Sequence, residues 1–190
     1  LEMRDREGGL VGVLVPPALG YQGLVHVDDA GRTVVFAAST DPTERHLWRV
    51  SLDGGVPTRI TTGTGIHTGV FARRAPVWVH GWTTPESMAR SAVCRADGTV
   101  IGELPSVAEE PAFRPRAEQV RTGGDPDFHA EIVRPRDFIA GHRYPVLVDV
   151  YGGPHAKVVE ASMGTRLLPQ WMADQGFIVV SIDKRGTPGR

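Results

Sequence analysis

The segment Tyr151-Gly152-Gly153-Pro154 directly follows the apolar run Val146-Leu147-Val148-Asp149-Val150. Two adjacent glycines let a backbone approach a bound group closely, and a tyrosine hydroxyl beside them can donate a hydrogen bond to an oxygen on which negative charge develops. That is the chemistry of a carbonyl under nucleophilic attack. A tight turn with a packed tyrosine uses the same residues, so the motif alone leaves both readings open. The nucleophile is missing, because no Gly-x-Ser-x-Gly occurs anywhere in the 190 residues. The 7 histidines are expected at the surface or in turns. The single cysteine, Cys94, is expected to be a small buried apolar residue, and it rules out a disulfide framework or a cysteine-based zinc site. No His or carboxylate pairs have close ligand spacing, and Gly152-Gly153-Pro154 lacks the dinucleotide-binding pattern, so neither a metal nor a cofactor is expected. Glu109-Glu110 sits in the Pro-rich stretch Pro105–Pro115 and reads as a solvated pair.

The elements that would position the glycine loop are a strand before it and a crossover after it. Leu167, Leu168, Trp171 and Met172 recur at helical spacing, and Gly176 stands where a helix stop is wanted. Phe177–Ile182 is a second apolar run. Strand, loop, helix and strand make a βαβ crossover, which predicts a mostly parallel sheet with both strands buried on two faces and ligands near their carboxyl ends. Upstream, Glu118–Arg121 and Phe128–Val133 flank Gly123-Gly124-Asp125 and predict a hairpin.

Before the Pro-rich stretch the pattern differs. Short runs rich in Val, Ile, Thr, Phe and Trp alternate with turn signals and form two sets of four. The first comprises Gly23–Val27, Thr33–Ala38, His46–Leu52 and Thr58–Thr61. The second comprises Ile66–Phe71, Pro76–His80, Ala92–Arg95 and Val100–Leu104, with a longer loop at Thr84-Pro85-Glu86. Asp53-Gly54 and Asp97-Gly98 each separate the third and fourth strands of a set, a spacing of about 44 residues that suits one propeller blade. An ordinary antiparallel sandwich is the alternative. Two blades cannot close a ring, so the blade reading implies a larger protein. The start at Leu1-Glu2, without a methionine, points the same way.

Composition sets the limits. With 23 Gly and 15 Pro, a fifth of the chain consists of turn formers, which suits a many-turned β protein. The 21 Lys+Arg against 22 Asp+Glu give a net charge of −1, without the positive field of a nucleic-acid or membrane-surface binder. Neither nucleic acid nor membrane is an expected partner. The apolar runs Leu10–Val15 and Phe177–Val180 are far below the roughly 20 residues of a membrane-spanning helix. One cysteine and no visible signal lead to a cytoplasmic expectation.

Three separated stations carry a resemblance: Tyr144-Pro145-Val146-Leu147-Val148-Asp149-Val150-Tyr151-Gly152-Gly153-Pro154-His155, Gln170–Val180, and Asp183-Lys184-Arg185-Gly186-Thr187-Pro188-Gly189. They resemble the start of the catalytic domain of the prolyl oligopeptidase family of serine peptidases, dipeptidyl peptidase IV branch. Asp41–Val50 is similar to a propeller segment of bacterial members. The resemblance implies a mixed β and α/β fold, with the last two blades of a β-propeller (residues 1–115) followed by the first βαβ of an α/β-hydrolase domain (116–190). It implies acyl-transfer hydrolysis near peptide N-termini, commonly after proline, with a peptide substrate as partner and a possible homo-oligomer in the full-length form. Tyr151 would be the oxyanion-hole tyrosine. Gly152, Gly153 and Pro154, together with Asp183, Arg185 and Gly186, would form structural loops of the site wall. Lys184 departs from the family, which usually has Gly or Asn in that turn. The serine, acid and base would follow the second crossover strand, so the chain alone is expected to be inactive. A non-catalytic interaction module, a truncated gene product, and an acyl-peptide-releasing or esterase member are the alternatives.

Overall fold

The computed structural model describes residues 1–153 and 156–187. A short hairpin, β1 (Glu2–Arg4) with β2 (Leu10–Val13), precedes two four-stranded antiparallel meanders. The first runs in chain order through β3 (Tyr21–Asp28), β4 (Thr33–Ala38), β5 (His46–Ser51) and β6 (Thr58–Arg59). The second runs through β7 (Ile66–Phe71), β8 (Val77–Thr84), β9 (Ser87–Arg95) and β10 (Val100–Leu104). Each has the form that the Asp-Gly spacing predicts, with Gly54 and Gly98 both taking a φ of +91° in the turn before the fourth strand.

The strand β4 shows how the first meander is held. Its unbroken run Thr-Val-Val-Phe-Ala-Ala has a side-chain period of two. Val34, Phe36 and Ala38 pack on one side with Leu14, Val15 and Val50. Val35 and Ala37 pack on the other with Leu47, Trp78, Ala92 and Cys94, which joins the two meanders face to face. Cys94 is buried, as expected.

One connection differs from expectation. The loop at Thr84-Pro85-Glu86 is a two-residue turn, because Thr84 pairs with Ser87 and both strands extend well past their apolar cores. The extra residues are polar ones that satisfy one another: Thr83 Oγ1 donates to Ser87 O (2.9 Å) and Glu86 N to Thr84 Oγ1 (3.1 Å). Counting apolar residues misses strand of this kind.

The third sheet is built from β11 (Ala117–Arg121), β12 (His129–Val133), β13 (Val146–Asp149) and β14 (Ile178–Ile182), in the order β11-β12-β14-β13. β13 and β14 are parallel, joined through a 3-10 turn (Gly164–Arg166) and the helix α1 (Leu167–Ala173), so the crossover forms. Three expectations are corrected. Among the described strands the sheet is mixed, since the β11–β12 and β12–β14 pairs are antiparallel. β13 is an edge strand with only one face covered: Leu147 packs toward Val133, Ala173 and Val179, while Val146 and Val148 stay 58% and 55% exposed.

The helix buries only part of the face its apolar residues suggest, with Met172 packed against Val133, Ala173 and Val179. Leu168 and Trp171 are exposed, whereas Arg166, Gln170 and Ala173 are buried. Polar satisfaction decides this orientation. Gln170 accepts from Arg116 N (2.7 Å) and donates to Arg134 O and Asp174 Oδ1 (both 3.0 Å), stapling α1 to its neighbours on both sides. The Arg166 guanidinium meets the Glu131 carboxylate at 2.8 Å with both side chains almost fully buried. Gly176, at φ +97°, ends the helix as expected. Among the described residues no helix is long and apolar enough to cross a membrane.

Candidate active-site loop

Tyr151 leaves the carboxyl end of β13 beside that of β14, where Asp149 pairs with Ser181. Its side chain is partly exposed, at 42%, and folds back over Gly153. A Cβ at Gly153 would stand 2.9 Å from the Tyr151 hydroxyl and 3.1 Å from Cζ, so this approach requires glycine. Of two consecutive residues after β14, one contacts the loop and the other the chain that follows it. Asp183, buried, accepts from Val158 N (2.9 Å) through Oδ1, and Lys184 Nζ donates to Gly152 O.

The structure therefore brings Lys184 to Gly152, next to Tyr151 and Gly153, and sets Asp183 against Val158. Arg185 and Gly186 lie in the adjoining turn, closed by Thr187 N donating to Lys184 O (3.1 Å) and Lys184 N donating to Thr187 Oγ1 (3.0 Å). Gly186 takes φ +94° at the third turn position. Lys184, at the first position, meets no backbone demand for glycine, so its departure from the family pattern leaves the turn intact. Pro154 lies outside the described residues, as do Pro188 and Gly189.

Sequence reasoning missed the surroundings of this loop. Residues 157–163 run on from it against the β4–β5 loop and the β8–β9 turn. There the charges of Glu160, Asp183, Asp41 and Arg45 act on Lys157. Burial lowers the Lys157 pKa, against the pull of the Glu160 and Asp183 charges, and burial raises that of Glu160. Scattered over more than 140 residues of chain, these groups have no spacing to read.

The histidine expectation holds for the exposed His142 and fails at the seam. His46 and His67 are both 2% exposed. Their rings stack at 5.0 Å across the seam between the meanders, and His67 stacks on and hydrogen-bonds His80 (3.0 Å between Nδ1 and Nε2). Burial holds the His67 pKa down to about 4, with the charges of His46 and His80 acting in the same direction. His46 meets Glu44 Oε2 at 2.8 Å and Thr61 Oγ1 at 3.3 Å. These are packed seam histidines, remote from the Tyr151 loop in their contacts. A cleft of about 880 Å³ lies at another edge of the same seam, lined by residues including His26, Asp28, Arg49, Arg74 and Trp78. It shares no residue with the loop. Among the described residues no group of three His, Cys, Asp or Glu side chains is placed to hold a metal ion.

Residues 18–89 match the model of the dipeptidyl peptidase IV (DPP IV) N-terminal region. A probable dipeptidyl-aminopeptidase B of Aspergillus clavatus is 31% identical over 172 residues, covering 84% of this chain and 19% of that protein. Over most of its length the chain is similar to dipeptidyl peptidases of the DPP IV type. The dipeptidyl-peptidase 5 of Aspergillus oryzae is 26% identical over 178 residues, 87% of this chain and 22% of that protein. The crystal structure of Porphyromonas gingivalis dipeptidyl peptidase 4 shares the fold, with a TM-score of 0.85 over 100% of this chain and 28% of that one, at 20% identity. The chain thus spans about a fifth of the length of its curated dipeptidyl peptidase relatives. The matched N-terminal region of the family is its propeller region, and it takes in all of the first meander and most of the second.

Proposed function

We propose that this chain supplies two propeller blades (within residues 1–115) and the opening βαβ of an α/β-hydrolase domain (116–190) to a serine-type dipeptidyl peptidase. The observation that carries the reading is the placement of Tyr151, in a chain similar to these peptidases, at the carboxyl end of a parallel strand with its hydroxyl held over Gly153. In acyl transfer a serine attacks the scissile carbonyl and the carbonyl oxygen takes on negative charge. The Tyr151 hydroxyl donates to that oxygen. Gly152 and Gly153 keep the loop low enough for the substrate backbone to approach, and Lys184 bonds to it at Gly152 O. The serine, acid and base are not among these 190 residues, so the chain by itself is inactive.

The substrate class is tested by offering the complete gene product dipeptide amides with proline second, acyl-amino-acid amides and simple esters. Release of the intact dipeptide, with kcat/KM well above that for the acyl-amino-acid amide, is expected. Preference for the acylated substrate would instead make it an acyl-peptide-releasing relative.

A further inference from the structure

The strap of residues 157–163 connects the Tyr151 loop to α1, and it is tied to both meanders. Ala161 N donates to Thr43 O (2.9 Å), and Met163 N donates to Thr84 O (2.7 Å). The Thr83 and Ser162 hydroxyls meet at 3.4 Å. Nearest the loop, Lys157 Nζ donates to Pro42 O at 2.6 Å. The next residue, Val158, is fixed through its N–H to Asp183 beyond β14. One peptide step therefore links a bond to the first meander with a bond to the parallel sheet.

The receiving loop is itself rigid. Asp41 Oδ1 accepts from both the N–H and the hydroxyl of Thr43 at 2.8 Å, and Thr43 is buried. Burial lowers the Lys157 pKa, while the charges of Glu160, Asp183 and Asp41 act to raise it and that of Arg45 to lower it.

We propose that Lys157 is a positioning residue that ties the Tyr151 loop to the propeller, so that the oxyanion donor is held in register by the β4–β5 loop. The inference rests on the reading of Tyr151 given above. In a site of this kind a displacement of about 1 Å costs up to 10²-fold in rate, and a lost tether falls short of that because Asp183 still holds Val158.

The test is made in the complete gene product with Lys157→Met, which keeps the aliphatic stem, and Lys157→Arg, which keeps a cationic donor. Lys157→Met should lower kcat about tenfold while KM changes less than about twofold. It should also speed amide hydrogen exchange at Val158 and Ala161, leaving Phe36 and Leu47 in the core unchanged. Lys157→Arg should restore most of kcat. Unchanged kcat with unchanged exchange overturns the proposal, as does faster exchange throughout the chain, which would mark general loss of fold. If the exchange effect appears while Tyr151→Phe leaves kcat intact, the tether stands and the role given to Tyr151 is what fails.

Discussion

The first meander and the third sheet contain the same kinds of residue and treat them in opposite ways. In the meander, β4 lies inside its sheet with a packed layer on each face, and Val34 through Ala38 are all buried. In the third sheet, β13 is equally rich in valine yet lies at the edge among the described strands, and Val146 and Val148 are more than half exposed. Beside the small apolar cluster of Val133, Ala173 and Val179, that sheet is held by polar contacts: Gln170 bridging three elements, and the Arg166–Glu131 pair. Within these 190 residues β13 has one covered face, whereas β4 has two.

The comparison breaks most visibly in the core of the meander. Phe36→Ala, at a site with no exposure, is expected to cost about 4 kcal/mol by chemical denaturation, whereas Val148→Ala should cost less than about 0.5 kcal/mol. Equal effects would mean that β13 is covered in solution.

Next in size is the buried ion pair. Arg166→Met alone strands the Glu131 carboxylate and should cost about 3 kcal/mol, while pairing it with Glu131→Leu should recover most of the loss. An additive double variant would remove the coupling from the account.

The seam histidines give a smaller, pH-dependent effect. His67 is held neutral when folded, with a pKa of about 4 against an ordinary 6.5, so the unfolded chain binds more protons between those values. Its contribution is intact above about pH 6.5 and is lost as pH falls toward 4, amounting to about 2 kcal/mol by pH 5. His80 shifts in the same direction for the same reason. Denaturation midpoints between pH 7 and 5 should therefore fall less steeply in His67→Gln than in the parent chain. The smallest expected change in stability is that of Gly153→Ala. A Cβ there meets the free end of the Tyr151 side chain, so the hydroxyl should move while the fold stays, and turnover should fall with little change in unfolding.

Much of this was legible in advance. The eight meander strands, the β11–β12 hairpin, the crossover and the Gly176 stop all follow from period-two runs, Asp-Gly turns and helix-stop chemistry, which act over a few residues. Features set by distant neighbours were not legible. The exposure of β13 depends on its place in the sheet, and the face that α1 buries depends on carbonyls at Arg134 and an N–H at Arg116. The histidine seam and the Lys157 contacts bring together groups far apart in the chain. At the site, the Tyr-Gly-Gly motif was visible and the buried anchor of the chain that follows it, Asp183, was named only as part of a turn.

The most direct test of the account is Tyr151→Phe in the complete gene product, with kcat and KM measured on a proline-containing dipeptide amide. Loss of an oxyanion donor should lower kcat by about 10²-fold or more and leave KM within a few-fold. A kcat equal to the parent's would contradict the assignment of Tyr151 to the chemistry.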